Sequence, residues 1–388
     1  MSWTWAAQLL SAVRDLVSRY RHVLVAFAAS RVLIIGVILL SQLILIRGQY
    51  HFAQGILPVL LNWDGERWYL DIARHSYHFY PGRLSNVGFF PFYPLLVKSV
   101  SFLFHDFRIA ALLVSNTCLL AAGMVLHALI KLDYKEGPAA DHAVTFLMFS
   151  PVSFFFSSAY TESTFLLLSL GSFLAARKGH WFIAVLCGAA LSGTRNIGVF
   201  IALPLLVEFI RQTWRREVGI KSLLRPKILL LGFVPAGLFL FLIFNYMKFG
   251  DPFAYVKATA VWGRRFASPY ETFAAPLIGP WGGEAINEPF HRLVSVSAVA
   301  AAGALWASAV LLKVRPSYLL YAALLLAIYM CGNSLEAMPR YLSVVFPLVI
   351  ALSLLTTRFQ QLYEPLLACS IGILTLMTML QANGFWIT

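Results

Sequence analysis

Positions 62–72, NWDGERWYLDI, bring three acids (Asp64, Glu66 and Asp71) and Arg67 together directly after a long apolar run. The plain reading is a solvated turn, because a carboxylate at the membrane–water boundary costs far less than one at mid-bilayer. The neighbours argue for more. Trp63, Trp68 and Tyr69 are interfacial residue types, and a carboxylate held among them is partly desolvated. Desolvation raises a carboxyl pKa and makes the group a better proton acceptor. Asp64 is therefore a candidate general base for a hydroxyl presented from the outer side, with Trp63 and Glu66 beside it.

Other charges are placed where they could complete such a site. GDPFAYVKATAVWGRR (250–265) opens with an Asp251–Pro252 turn and continues to Lys257, Arg264 and Arg265. These cations could neutralise a lipid phosphate, arginine offering a bidentate fork; contact with anionic headgroups is the alternative for each of them. AYTES (159–163) puts Glu162 at a helix start, where the dipole suits an acid and a structural cap is the simpler role. GTRNIG (193–198) supplies Arg195, and EAMPRY (336–341) supplies Glu336, Arg340 and Tyr341. Each alone reads as a cap or a snorkelling side chain. Together they are expected on one face. Arg31, about a third of the way into the first apolar run, is expected to snorkel to the cytoplasmic interface.

These residues must be positioned by a membrane protein. Of 388 residues, 60% are apolar and 12% charged, against about half and a quarter in soluble domains. Several runs reach the roughly 20 residues that cross a bilayer, and in lipid such runs are helices. The short alternating segments of a barrel are absent. Spans are expected near 23–46, 108–130, 142–156, 162–177, 181–193, 196–210, 228–246, 291–312, 317–332, 339–356 and 364–382. The fold class is thus all-α, a bundle of about 10–11 transmembrane helices. A proline-led interfacial helix over 88–104 lies within the first outer segment. Residues 1–388 are expected to form one membrane domain with long outer loops near 47–107 and 247–290 and no separate soluble domain.

Basic short loops (176–180, 211–227, 313–317) and the N-terminal arm with Arg14, Arg19 and Arg21 are expected on the cytoplasmic side. The first span then serves as a retained signal anchor. The net charge of +13 is spread among these loops without a basic, aromatic-interleaved stripe, so it points to anionic membrane lipid and not to nucleic acid. Cys118, Cys187, Cys331 and Cys369 lie in apolar spans with no metal or disulfide spacing.

In order along the chain, NWDGERWYLDIARHSY (62–77), GFFPFYPLL (88–96), SSAYTESTFLLLSL (157–170), LSGTRNIG (191–198), FGDPFAYVKATAVWGR (249–264) and MPRYLSVVFPL (338–348) resemble the PIG-V-type mannosyltransferases. Those enzymes add the second mannose to GPI anchors, and they have bacterial relatives. The resemblance implies a GT-C glycosyltransferase that takes its sugar, mannose above all, from a polyprenyl-phosphate donor. It implies an inverting displacement onto a lipid or glycan hydroxyl at the outer face. The family's catalytic acid falls on Asp64. Lys257, Arg264, Arg265 and Arg340 are the candidates for the donor phosphate. Tyr341, Arg195, Glu162, Asp251, Trp63 and Glu66 are further substrate-binding candidates. No strict DxD occurs, the nearest match being Asp64-Gly65-Glu66, so no metal ligands are assigned and a divalent cation is not favoured. Compact size and basic loops point to a bacterial inner-membrane protein, for which GPI would be the wrong acceptor. A transporter and a non-catalytic envelope scaffold are the competing readings. Neither explains outer-face acids facing cations, and the paired halves common in transporters are missing.

Overall fold

The computed structural model describes residues 14–45, 55–216, 226–278 and 289–385, together with the single positions 8, 11 and 387. Parts of the expected outer loops (46–54 and 279–288) and of the basic loop 217–225 lie outside the described residues. Within them every regular element is helical, and the only pairing of extended backbone is an isolated bridge between Phe266 and Gly332.

Six described helices are long and apolar enough to cross a membrane: Arg21–Ile44, Phe107–Asp133, Asn196–Thr213, Ile228–Phe249, Phe290–Leu311 and Gln360–Ala382. Shorter apolar helices at Phe92–Phe104, Trp181–Ser192, Pro316–Tyr329 and Phe346–Arg358 fill the bundle between them. Their outer surfaces carry Leu43, Leu103, Met247 and Leu311, each at least three-quarters exposed. In water such faces would be liabilities; against lipid they are the expected solvent contact. The chain is an integral membrane protein.

The helices that matter for the site are α1 (Arg21–Leu45), α2 (Ile56–Leu61), α3 (Asp71–His75), α4 (Phe92–Phe104), α5 (Phe107–Asp133), α6 (Ala139–Met148) and α7 (Glu162–Arg177). They are followed by α8 (Trp181–Ser192), α9 (Ala202–Arg216) and α10 (Ala236–Phe249). The expected interfacial helix is α4. It turns into α5 through His105 in the left-handed region (φ 54°) and Asp106, whose carboxylate accepts from the backbone N–H of Arg108 and Ile109. At the centre Phe173 of α7 meets Tyr318, Tyr321 and Phe346 edge-on, with centroids 5.2, 5.4 and 5.3 Å away.

Three expectations are corrected. The span near 142–156 does not form: α6 ends at Met148, and a 3-10 turn at Ser153–Phe156 follows. Ser150–Pro151 explains the break, since the residue before proline is pushed out of the helical region. Arg31 does not snorkel. It is buried, and its guanidinium bonds to Ser153 O, Ser157 Oγ, Met148 O and Ser153 Oγ, at the unwound segment after α6. The segment 339–356 is likewise divided, into Met338–Ser343 and Phe346–Arg358, ahead of Pro347.

α7 carries a charge cluster at each end. Glu162 is its first residue and Arg177 its last, about 22 Å apart at 1.5 Å per residue. At the Arg177 end, Asp133 pairs with Arg177, and Arg315 forks onto Glu208 with both contacts at 2.7 Å. Tyr318, Gln212 and Ser317 complete that cluster, donating to Asp133 and Glu208.

Candidate active site

Asp64 sits on the link between α2 and a π-helical turn at Gly65–Leu70. The chain is forced to this geometry locally. Trp63 adopts φ 58°, a conformation that costs a non-glycine residue about 1–3 kcal/mol and persists where the surroundings hold it. Gly65 lies so close to Ala159 that a Cβ would stand 3.1 Å from its methyl and 3.3 Å from its carbonyl oxygen. The contact docks the Asp64 turn onto the segment that begins α7. Ala159 N donates to Leu60 O at 2.9 Å, and Tyr160 OH lies 3.3 Å from both Asp64 N, which donates to it, and Asn62 O, which accepts from it.

The charges of four separate motifs meet here. Asp64 Oδ2 pairs with Arg340 Nη1 at 3.2 Å, and Arg340 Nε lies 3.6 Å from Glu162 Oε1. Arg195 grips the same Glu162 oxygen through Nη2 and donates from Nε to Thr161 Oγ1 at 2.8 Å. Aromatic rings close the sides. The Arg340 guanidinium lies over Tyr160, Tyr341 and Phe155 at 5.0, 5.3 and 5.6 Å, and Arg195 lies over Tyr341 and Phe165 at 5.6 Å each. Tyr341 is in turn stacked on Tyr329. Gly198 lets the Arg195 turn fold back on α8, since a Cβ there would meet Leu191 O at 2.3 Å. Burial is deep: Glu162 is wholly inaccessible, and the side chains of Arg340 and Asp64 are 9% and 19% exposed.

Electrostatics tune the candidate base. Burial pushes the Asp64 carboxyl above its ordinary range, and the charge and hydrogen bond of Arg340 offset only part of this. Glu162 and Glu336 add to the upward push. Glu66 behaves oppositely. Burial alone would raise it, but Arg74 at 2.8 Å and Arg108 at 3.2 Å hold it below the usual range. Glu66 therefore faces a different set of partners from Asp64, and the two acids of Asp64-Gly65-Glu66 do not act as a facing pair.

The cations of the second outer segment divide. Arg264 joins the site's margin by pairing with Glu336 at 2.8 Å. Lys257 pairs with Asp251 at 2.6 Å on the surface, where its hydrogen bond holds the Asp251 carboxyl below the usual range. Arg265 pairs with Glu271, also exposed. Asp64, Glu162, Arg195, Arg340 and Tyr341 thus come together, with Trp63 preceding the acid. Lys257, Asp251, Arg265 and Glu66 are engaged elsewhere. Tyr160 and Thr161 were not singled out by sequence, although they stand directly before Glu162 and alternate contact with its two arginines. Tyr329, placed behind Tyr341, carries no local signal at all.

The all-helical membrane bundle that carries this buried acid–arginine cluster has a fold of the GT-C type. ArnT from Cupriavidus metallidurans, solved with undecaprenyl phosphate, shares it over 95% of this chain and 77% of its own, with a TM-score of 0.53 at 13% identity. In sequence the chain resembles the PIG-V-type mannosyltransferases. It is 26% identical over 181 residues to GPI mannosyltransferase pigv-1 of Caenorhabditis elegans, a match covering 40% of this chain and 25% of that protein. It is 28% identical over 158 residues to human GPI alpha-1,6-mannosyltransferase 2, covering 38% and 31% respectively. The match spans about a third or less of these relatives' own length. No family model matches the chain.

Proposed function

We propose that the protein is a membrane glycosyltransferase that moves a sugar, mannose in the first instance, from a polyprenyl-phosphate donor to a hydroxyl of a lipid or glycan acceptor. The observation that carries this is the buried Asp64–Arg340–Glu162–Arg195 constellation on a GT-C fold. Resemblance to mannosyltransferases supports the sugar, and undecaprenyl phosphate in the ArnT structure supports the donor class.

In this reading Arg340 fixes Asp64 through Oδ2, and the other carboxylate oxygen takes the acceptor proton. The acceptor oxygen forms its bond to the anomeric carbon as the bond from that carbon to the phosphate oxygen breaks. Polyprenyl phosphate departs with the electron pair, and configuration inverts. A positioned base contributes about 10²–10⁴-fold, and a carboxyl lifted by burial is a better acceptor than a solvated one. The departing phosphate is stabilised by cations already in place, a form of preorganisation that usually supplies the largest single contribution. Arg340 and Arg264 are the nearest candidates; Lys257 and Arg265 would first have to leave their surface partners. No metal step is required by these residues. The site faces the periplasm or lumen if the basic short loops are cytoplasmic.

The test is sugar transfer by purified protein in lipid, from synthetic polyprenyl-phosphate mannose to a panel of hydroxyl acceptors, with slow donor hydrolysis as a second readout. The wild type turns over and a normally folded Asp64→Asn does not. Equal turnover in both would remove Asp64 as the base.

A further inference from the structure

We infer that Arg31, in the middle of the first transmembrane helix, is a positioning residue that holds the Asp64 turn in place through the unwound segment 149–157. Only the kinetic arm of this inference rests on the transferase reading.

A buried guanidinium inside a bilayer protein is costly unless every donor is used. Arg31 uses all of its N–H groups. Nε reaches Ser30 Oγ at 3.3 Å; Nη1 reaches Ser153 O at 3.1 Å and Ser157 Oγ at 2.5 Å; Nη2 reaches Met148 O at 3.1 Å and Ser153 Oγ at 2.5 Å. Among the described residues it makes no ion pair with a carboxylate. Its partners are instead the acceptors of a helix that stops inside the membrane. Backbone carbonyls freed by such a break need donors from the protein itself, because lipid offers none.

The unwound segment is then held from its other side. Ser157 Oγ donates to Asn116 Oδ1 at 2.7 Å, and Asn116 Nδ2 donates to Leu112 O at 2.8 Å on α5. Two residues beyond Ser157, Ala159 bonds to Leu60 and abuts Gly65; Tyr160 follows and bonds to the Asp64 amide. Glu162 comes next but one. Guanidinium, serine, Ala159–Tyr160 and Asp64 therefore form one continuous strut from mid-membrane to the candidate base. A strut explains why an arginine stands where an apolar residue would pack at less cost.

Arg31→Lys keeps the charge but cannot satisfy the divergent acceptors with one ammonium. Ser157→Ala removes one link without burying or exposing a charge. Hydrogen–deuterium exchange of peptides spanning 58–66 and 157–162 reads the strut directly. Exchange in both should quicken by about tenfold or more, the effect of losing roughly one hydrogen bond. Glu208→Gln, which loosens the far end of α7, serves as the control and should leave these peptides unchanged. In the transfer assay kcat should fall by about 10²-fold, as for a displacement near 1 Å, while the donor KM stays near the wild-type value. If Arg31→Lys does not fold, Ser157→Ala carries the same test. Unchanged exchange in the folded variants overturns the strut. Faster exchange with undiminished kcat overturns the positioning role. If the wild type transfers no sugar, the transferase reading fails by itself, and exchange still decides whether Arg31 holds the Asp64 turn.

Discussion

Replacing Arg340 by glutamine separates the two things that set the basicity of Asp64. The guanidinium lies 3.2 Å from Oδ2, which at an effective dielectric near 20 corresponds to about 5 kcal/mol of attraction. Partial exposure of Asp64 and competition from Glu162 reduce that figure, and an adjacent opposite charge ordinarily lowers an aspartate pKa by about 1–3 units. Removing Arg340 leaves burial and the two neighbouring glutamates unopposed, so the Asp64 pKa moves further up. A general base acts in its ionised form. The acid limb of the kcat–pH profile in Arg340→Gln should therefore move to higher pH by about 1–3 units. Below both limbs, activity should fall about tenfold per unit of that shift. Removing one partner of a buried pair also costs stability, about 3–5 kcal/mol, which thermal unfolding reads separately. The assay is donor turnover across pH 4.5–9 at saturating donor, normalised to folded protein. A lower kcat with an unmoved acid limb would refute the assignment: either Asp64 is not the group the limb reports, or Arg340 does not control it.

Three further outcomes follow from the same structure. Because burial raises the folded Asp64 carboxyl above its unfolded value, the folded state binds the proton more tightly; this contribution to stability is present at low pH and lost as pH rises through the raised folded pKa. The wild type minus Asp64→Asn difference in melting temperature should accordingly fall on going from pH 4 to pH 8, and a flat difference would contradict the raised pKa. Gly65→Ala forces a methyl against Ala159 and should cost about 1–3 kcal/mol while lowering kcat, with unfolding and turnover measured on the same preparation. Lys257→Ala and Arg265→Ala break exposed, solvent-screened pairs and should leave the thermal unfolding close to that of the wild type. A tenfold rise in donor KM in either variant would bring that cation into the phosphate site despite its surface partner.

Much of this was legible before the structure, and the reasons differ by element. Long apolar runs announce themselves because lipid forces them into helices, so the spans near 23–46, 108–130 and 364–382 match described helices within a few residues. The convergence of Asp64, Glu162, Arg195, Arg340 and Tyr341 was legible because each charge sits at the same predicted end of its span. The pairing among them was not, since it depends on helix rotation and on a π-turn that no local signal marks. Arg31 was misread for a related reason. Snorkelling is the cheapest fate for an arginine a third of the way into an apolar run when only its own helix is considered. The alternative needed a second helix that breaks beside it, and although Ser150–Pro151 marks that break, nothing in the chain says which neighbour it faces. Lys257 and Arg265 look equivalent to Arg264 in sequence, yet only Arg264 meets an acid, Glu336, next to the site.

The two charge clusters at the ends of α7 show how a fastener differs from a candidate site. At the Arg177 end, both Glu208 oxygens accept from Arg315, with Gln212 and Ser317 in addition, and both Asp133 oxygens are engaged. Everything is paired, as a purely structural network requires. At the Glu162 end the carboxylate is at least as deeply buried, yet Glu162 Oε2 has no hydrogen-bond partner among the described residues, and Arg340 Nε makes only the long 3.6 Å approach. Buried polar atoms are rarely left unsatisfied, because doing so costs the full desolvation penalty of the group. The same chain satisfies every acid oxygen at one end of a helix and not at the other. The difference is accounted for if the unfilled contacts at the Asp64 end belong to a substrate, whose hydroxyls would donate to Glu162 Oε2 and whose phosphate would accept from the arginines. On that account a hydroxyl-bearing donor should protect the protein thermally far more than polyprenyl phosphate alone. Glu162→Gln should reduce that margin while leaving the Arg340 contact to phosphate in place.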